Sequence, residues 1–350
     1  MRVAVTGGGT GGHVFPALEI ARLALEGGHE VRYLGSRRGQ EGPACALAGI
    51  PFEGFPSEPL VSLRSIRGWR AAVRLLRARA QAARSLRTWK PDALFSTGGY
   101  ASAPVVSAAA NARIPYVIHE QNSVPGRTNL LLAKKASAIA TTFEASAAYF
   151  PSGRVVRTGL PVRQELRALA AREPEGSRVL VVGGSQGAKV LNDVLLQLVP
   201  RLAPEREWLH VSGQAGFEEL AAAARSPNHR IVPFLQAAEM AQAYAEASFV
   251  IGRSGAGTLS ELAAFRLPSV LVPYPLAHAQ HQLYNAREFE DMEAAVVVEQ
   301  RDLSPEILER AVRHWEDPQR CLTAQTHLAV WDVPDAGKRI LKLVTEAAER

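Results

Sequence analysis

The feature that most constrains this 350-residue chain is an alternation, run through twice, of short β-branched segments with Ala/Leu/Arg-rich stretches long enough to be helices. Parallel strands need a crossover of a dozen or more residues between them, and a helix in that crossover covers one face of the sheet. The pattern therefore predicts strands at residues 3–6, 31–34, 52–55, 93–96, 116–119, 139–142 and 155–158. The Gly-Pro punctuation of Thr158-Gly159-Leu160-Pro161 then marks a hinge. A second series follows at 178–182, 208–211, 231–233, 249–251, 270–272 and 295–298, and residues 304–350 read as closing helices. Each series opens with a glycine turn directly after its first strand. The expected fold class is α/β, with two doubly wound parallel-sheet domains, 1–158 and 159–335, facing across a cleft. Ligands in such sheets bind outside the carboxyl ends of the strands, which makes that cleft the expected site.

Composition narrows the function classes. At 47% hydrophobic and 21% charged residues the chain can build two cores and is too apolar to be disordered. Two cysteines, Cys45 and Cys321, exclude a disulfide framework and any cysteine-cluster metal site, and fit a reducing compartment. The first predicted strand runs straight into glycines, unlike a secretory signal. The longest uncharged windows, 93–112 and 267–286, are interrupted by Gly, Ser, Asn, Gln or Pro, so any membrane role is expected to be peripheral.

The glycine turns carry the chemistry. Gly7-Gly8-Gly9-Thr10-Gly11-Gly12 satisfies G-x-G-x-x-G between a strand and a helix. The dinucleotide reading also wants an acidic residue at the end of the second strand, where the chain has Leu34-Gly35-Ser36-Arg37-Arg38. His13 follows the turn, and a histidine at a helix start is held neutral by the helix dipole, the form that accepts a proton. It is the candidate general base, the alternative being a histidine that caps or packs. Gly183-Gly184-Ser185-Gln186-Gly187-Ala188 lacks the Lys-Ser/Thr ending of a nucleoside-triphosphate loop but can still present amides to phosphate oxygens. Gly252-Arg253-Ser254-Gly255-Ala256-Gly257-Thr258-Leu259-Ser260-Glu261 is more informative. Amides at its helix start form an anion nest, and Glu261, one turn on, can accept from two vicinal hydroxyls. Together these suggest a nucleoside diphosphate with a ribose; the plainer alternative is a solvated helix glutamate.

Gly8-Gly9-Thr10-Gly11-Gly12-His13, His119-Glu120-Gln121-Asn122, Gly183-Gly184-Ser185-Gln186-Gly187-Ala188 and Arg253-Ser254-Gly255-Ala256 with Ser260-Glu261 resemble, in order and spacing, the MurG family of bacterial peptidoglycan GlcNAc transferases. Gln282 and Asn285-Ala286 continue a likeness that spans essentially the whole chain. The resemblance implies a GT-B fold of two Rossmann-like domains, with a C-terminal helix near 336–350 packing back on the first. It implies transfer of GlcNAc from UDP-GlcNAc to the 4-hydroxyl of the muramyl sugar on undecaprenyl pyrophosphate (lipid I), giving lipid II with inversion. Carried over by motif, Glu261 would hold the ribose, with Ser185, Ala256, Gly257 and Thr258 on the diphosphate and Leu259 and Ser260 beside them. Gln282 would bind GlcNAc hydroxyls and Leu235 would lie beside the uracil. Thr10, Gly11, Gly12, Asn122 and Arg163 would close on the donor. The chain departs from the family pattern at Leu160, often Asn, and at His281, where some members carry a second Gln.

Inverting transfer needs a base for the acceptor hydroxyl and stabilisation of the leaving UDP. His13 is the first choice for the base and Glu120 the reserve. Helix dipoles and amides can serve the leaving group, so this logic requires no metal cofactor, with Mg²⁺ at most shielding the diphosphate. The acceptor is lipid-linked, and residues 60–90 suit a surface element. Between Pro59 and Pro91 there are nine basic residues and no acidic one, although the net charge of the whole chain is only +6. Leu63, Ile66 and Trp69 open an apolar seam at helical spacing, continued by Val73, Leu76, Ala80, Ala83 and Leu86 and flanked by Arg64, Arg67 and Arg70. An anionic membrane surface at the cytoplasmic face is the expected partner, and nucleic acid is not, for want of interleaved aromatics. The rival readings are a GT-B transferase with another acceptor, a UDP-GlcNAc 2-epimerase and a noncatalytic nucleotide-sugar sensor.

Overall fold

A computed structural model of the chain describes residues 1–59, 65–170, 176–184, 187–202 and 206–350, excepting the side chains of Ile66 and Arg67. It divides into two compact units, Met1–Pro161 with Asp335–Arg350, and Val162–Pro334. The first division falls at Pro161, three residues beyond the expected 158, and the chain returns to the first unit for its last helix.

The first unit carries strands β1 (Arg2–Thr6), β2 (Glu30–Ser36), β3 (Phe52–Phe55), β4 (Ala93–Ser96), β5 (Tyr116–Glu120), β6 (Ala138–Thr141) and β7 (Val155–Arg157). The second carries β8 (Arg178–Val182), β9 (Trp208–Val211), β10 (His229–Val232), β11 (Ala247–Gly252), β12 (Ser269–Leu271) and β13 (Ala295–Val297). The helices follow as α1 (Gly11–Glu26), α2 (Glu41–Leu47), α3 (Ile66–Trp89), α4 (Ala103–Asn111), α5 (Arg127–Ala133), α6 (Gln164–Ala170) and α7 (Lys189–Leu202). Then come α8 (Phe217–Ala223), α9 (Ala237–Ala245), α10 (Ala256–Ala264), α11 (His281–Asp291), α12 (Pro305–His314), α13 (Pro318–Trp331) and α14 (Ala336–Ala348).

Every described strand pair is parallel, in the orders β3-β2-β1-β4-β5-β6-β7 and β10-β9-β8-β11-β12-β13. Both are doubly wound sheets, as the alternation predicted. The order reverses between β1 and β4 in one and between β8 and β11 in the other, and at such switch points the loops leave in opposite directions and open a crevice. The glycine turn 7–12, the segment leaving β8 at Gly183 and the loop into α10 all start there.

The cores follow the period-2 rule of strands. In β1, Val3 and Val5 face α1 and α14 through Ala17, Ile20, Ile340 and Val344, while Ala4 faces the opposite layer with Ala78, Ala82 and Leu86 of α3. The last helix therefore completes the first unit's core, and it lies close: a Cβ on Gly337 would come within 2.4 Å of Leu23 Cδ1. Arg154 adds a 2.8 Å ion pair to Glu346.

The two central loops of the first sheet touch through glycines. Gly99 has φ +82°, and a Cβ on it would stand 2.1 Å from the Gly8 carbonyl oxygen; Gly28 has φ +76° but no atom within 4 Å. Gly28→Ala is expected to cost only the left-handed strain of about 1 kcal/mol, and Gly99→Ala about 2–4 kcal/mol because contact is added to strain. Thermal unfolding of the two variants measures the difference; equal losses would show that the loops do not rely on this contact.

Candidate functional site

In the first unit the site grows from the carboxyl ends of β1, β4 and β5. Thr10 is the N-cap residue of α1 and leaves its hydroxyl unused for capping, while Gly11 and Gly12 begin the helix with part of their surface open. His13 sits in the first turn and Thr97, at the end of β4, holds it twice. The Thr97 carbonyl faces His13 Nδ1 at 2.9 Å, and the Thr97 hydroxyl donates to the His13 carbonyl at 2.8 Å. A nitrogen facing a carbonyl must carry the proton, so the lone pair is on Nε2. Burial lowers the His13 pKa, against hydrogen bonds to Thr97 and Gln121 that would raise it. The imidazole is therefore neutral at pH 7 and able to take a proton. Gln121 Nε2 also donates to the Thr97 carbonyl at 2.8 Å, so one oxygen aligns both side chains.

Glu120, the reserve base, is differently employed. It is buried, Oε1 accepts from Asn122 N at 3.0 Å and, at 3.4 Å, from Asn122 Nδ2, and Oε2 accepts from Gly126 N at 3.1 Å and Asn129 Nδ2 at 2.8 Å. Four N–H groups on one carboxylate fold the loop between β5 and α5. To act as a base it would have to give up some of these bonds; as placed, it holds Asn122 and the loop. Burial raises its pKa, and these same donors oppose the rise.

The second unit's site is built on α10. Gly255 is the N-cap residue, with extended φ −68° and ψ 143°, and caps with no side chain. Helix geometry leaves the N–H groups of Ala256, Gly257 and Thr258 without intrahelical acceptors. A Cβ on Gly255 or Gly257 would meet nothing within 4 Å, so the space over these amides is clear. The aligned peptides add about half a positive charge at that end.

Glu261 lies one turn further on. Oε1 accepts from Arg163 Nη2 at 3.3 Å and Oε2 from the Tyr244 hydroxyl at 3.0 Å. The Glu261 side chain retains 19% exposure, and each oxygen has a lone pair left for a ligand hydroxyl. Burial raises its pKa, with Arg163 the chief opposing influence, followed by Tyr244. Leu259 is corrected: its side chain is wholly buried and its N–H already donates to the Gly255 carbonyl at 3.0 Å, so neither reaches a ligand. Ser260 likewise turns its hydroxyl into the interior.

Gln282 stands in the first turn of α11. Its Oε1 accepts from Tyr274 N at 3.0 Å, which leaves its two amide hydrogens as what it offers. Its backbone carbonyl accepts from the Ser254 hydroxyl at 2.7 Å, tying this loop to the one that enters α10. Arg253 braces both, donating to the carbonyls of Val272 at 2.9 Å and Pro273 at 3.2 Å and to Gln300 Oε1 at 2.7 Å. Leu235 lies half-buried between β10 and α9, and Leu160 is buried beside the hinge. Ser185 falls outside the described residues.

Sequence reasoning missed Thr97, Tyr244 and the bracing role of Arg253. Thr97 precedes a second glycine pair, Gly98-Gly99, which was a usable signal. Tyr244 had none, because only the packing of α9 brings it to Glu261.

With this geometry in view, residues 3–141 match the glycosyltransferase family 28 N-terminal domain and residues 178–340 the glycosyltransferase family 28 C-terminal domain. The chain belongs to glycosyltransferase family 28. A UDP-N-acetylglucosamine--N-acetylmuramyl-(pentapeptide) pyrophosphoryl-undecaprenol N-acetylglucosamine transferase of Desulforudis audaxviator is 38% identical, covering 99% of each chain. The Symbiobacterium thermophilum protein of the same name is 38% identical over 100% of this chain and 97% of its own. The crystal structure of Acinetobacter baumannii MurG is 31% identical with a TM-score of 0.82, covering 99% of both chains. A kitacinnamycin glycosyltransferase, 16% identical with a TM-score of 0.72 over 98% of this chain and 99% of its own, shares the fold alone. The family 28 assignment agrees with two Rossmann-like sheets, the class the sequence implied.

A separate surface lies on α3. Its core side is made of Ala71, Ala78, Ala82, Leu86 and Trp89, while Trp69 (65% exposed), Val73 (43%) and Leu76 (62%) face outward. The expected seam thus divides, and Leu86 belongs to the core. Arg70 is exposed beside Trp69, and Arg74 pairs with Glu58. An open groove of about 430 Å³ between α3 and α4 is lined by Leu76, Ala80, Ala83 and Ala108 and edged by Arg79 and Arg87. Leu63, Arg64 and the side chains of Ile66 and Arg67 lie outside the described residues. Among the described residues no helix is long and apolar enough to cross a membrane.

Nitrogen-resolved NMR of the imidazoles tests the His13 assignment. His13 is expected to titrate below the ordinary 6.5, with the proton on Nδ1 in the neutral form. A midpoint above 6.5, or the proton on Nε2, would contradict it.

Proposed function

We propose that the chain is an inverting N-acetylglucosaminyltransferase that moves GlcNAc from UDP-GlcNAc to the 4-hydroxyl of the muramyl sugar of lipid I, forming lipid II for peptidoglycan. The observation that carries this reading is Glu261 held one turn inside an uncapped helix start, a diol acceptor beside a diphosphate nest on one element. The full-length relatives, whose names specify this donor and acceptor, support it.

The second unit takes the donor. Glu261 accepts from the ribose hydroxyls, the amides of Ala256, Gly257 and Thr258 bind the diphosphate, and the amide hydrogens of Gln282 meet sugar hydroxyls. Ser185 and Leu235 are assigned to the diphosphate and the uracil. The first unit takes the acceptor. His13 Nε2 receives the proton of the 4-hydroxyl as its oxygen bonds to the anomeric carbon. The bond from that carbon to the β-phosphate oxygen breaks, and UDP leaves with the electron pair. Charge grows on UDP as the bond breaks, so fixed amides facing it lower the barrier without reorganising.

The outward face of α3 rests on the anionic cytoplasmic face of the cell membrane. Full burial of a Leu- or Trp-sized side chain contributes about 1.5–3 kcal/mol, and each arginine near an anionic surface about 1 kcal/mol. Both contributions are needed, because the apolar face is short.

Labelled UDP-GlcNAc incubated with a lipid I analogue is expected to label the lipid only when acceptor is present; UDP or UDP-ManNAc formed from donor alone would indicate an epimerase. His13→Ala should lower kcat by about 10²–10⁴-fold with donor affinity within about twofold. A near-normal kcat would place the base elsewhere. Sedimentation with anionic liposomes should be strong at low salt and reduced at high salt; no binding at low salt would remove the membrane assignment.

A further inference from the structure

The dinucleotide pattern asks for a carboxylate after the second strand, and none stands at the end of β2. A carboxylate is nevertheless present five residues later, pointed the other way. Glu41 opens α2, is wholly buried, and its Oε1 accepts from Gly9 N at 3.2 Å. Three glycines shape the space around it. A Cβ on Gly8 would stand 1.7 Å from Oε1 and one on Gly39 1.5 Å from Oε2, while one on Gly35 would meet the Glu41 Cβ and Cγ at 3.3 Å. Oε2 has no hydrogen-bond partner and no exposed surface. Burying a carboxyl group with one oxygen unsatisfied is costly, so the chain maintains it against a penalty.

What that position controls is the turn. Gly9 has φ +97° and packs on the Tyr100 ring, and the Gly7 carbonyl accepts from the buried Tyr33 hydroxyl at 2.6 Å. Thr10 and His13 follow directly. The turn is therefore gripped at Gly7 by Tyr33, at Gly8 by the Gly98 carbonyl 3.3 Å away, and at Gly9 by Glu41.

We propose that Glu41 is a positioning residue for glycosyl transfer: by accepting the Gly9 N–H from beneath, it fixes the turn that sets Thr10 and His13 in place. The inference rests on the transferase reading above and on His13 as base. Glu41 touches neither substrate. It acts through the first unit's turn, so its loss is felt chiefly in turnover; the ribose and diphosphate contacts belong to the second unit, and Thr10 links the turn to the donor. The same carboxyl excludes a side chain at Gly8 and Gly39, which explains the glycines there.

Three variants test this. Glu41→Gln keeps an acceptor oxygen for Gly9 and is expected to retain at least about a third of wild-type kcat. Glu41→Leu keeps the bulk without the acceptor; kcat should fall more than about tenfold with KM for UDP-GlcNAc within about twofold. Gly39→Ala displaces the carboxyl group, since the three atoms nearest its new Cβ all belong to Glu41, and should reproduce the kcat loss. Amide exchange at Gly9 should accelerate in Glu41→Leu and Gly39→Ala, a readout that needs no substrate. Wild-type turnover of donor and lipid I analogue is the control, so a failure of the transferase reading is seen there, separately. Glu41→Leu turning over like wild type, Glu41→Gln failing as badly as Glu41→Leu, or an effect confined to KM would overturn the proposal. If Glu41→Leu does not fold, a folded Gly39→Ala with wild-type kcat and slow Gly9 exchange overturns it.

Discussion

Strands that all run one way must all end at one edge, and everything else in this protein depends on what collects there. A helix starting at that edge has three or four N–H groups with no internal acceptor and a positive dipole end. Where the winding direction reverses, neighbouring loops part and those groups stay accessible. This happens at β1/β4, where the His13 turn begins, and at β8/β11, where α10 begins. The consequence differs between the two units because the first helical turn differs. In α1 it carries an imidazole whose Nδ1 is locked on the Thr97 carbonyl, leaving one basic nitrogen. In α10 no side chain caps the amides, and a carboxylate follows one turn later. One fold thus presents a neutral imidazole in one copy and, in the other, helix-start amides followed by a partly exposed carboxylate.

The burial of charge decides which carboxylates can act. Glu120, Glu261 and Glu41 are all desolvated, and in each case burial raises the pKa. Their partners separate them. Glu120 is committed to four nearby N–H donors; Glu41 is wholly buried among the backbone amides of Gly9, Ser36 and its own residue; Glu261 keeps exposure beside Arg163 and Tyr244. Ionised hydrogen bonds contribute about 1.5–3 kcal/mol each. Glu120 would forfeit bonds of that size to act as a base, whereas Glu261 keeps capacity for a further donor.

Much of this was legible in the sequence. All the predicted strands exist, because short apolar segments alternate regularly with helical stretches, and residues 52–55, 93–96, 178–182 and 208–211 match the observed bounds. The glycine turns and His13 were readable as local signals. What was not readable is what non-local packing decides. Nothing near Glu261 in the sequence points to Tyr244, and nothing near His13 points to Thr97, 84 residues away. Helical spacing on α3 identified an apolar seam but not which way it faced; alanines form its core side because they let the helix lie close to the sheet, which turns Trp69 and Leu76 outward. Glu41 escaped notice because the pattern sought a carboxylate at a strand end reaching outward to a ribose.

The central claim is that Glu261 and the amides of α10 recognise a ribonucleoside diphosphate through its diol and its phosphates together. Calorimetric titration with UDP, 2′-deoxy-UDP and 3′-deoxy-UDP under one set of conditions tests it most directly. The account predicts that removing either hydroxyl weakens binding by about tenfold or more, which is about 1.4 kcal/mol. Equal affinity for all three nucleotides would contradict it.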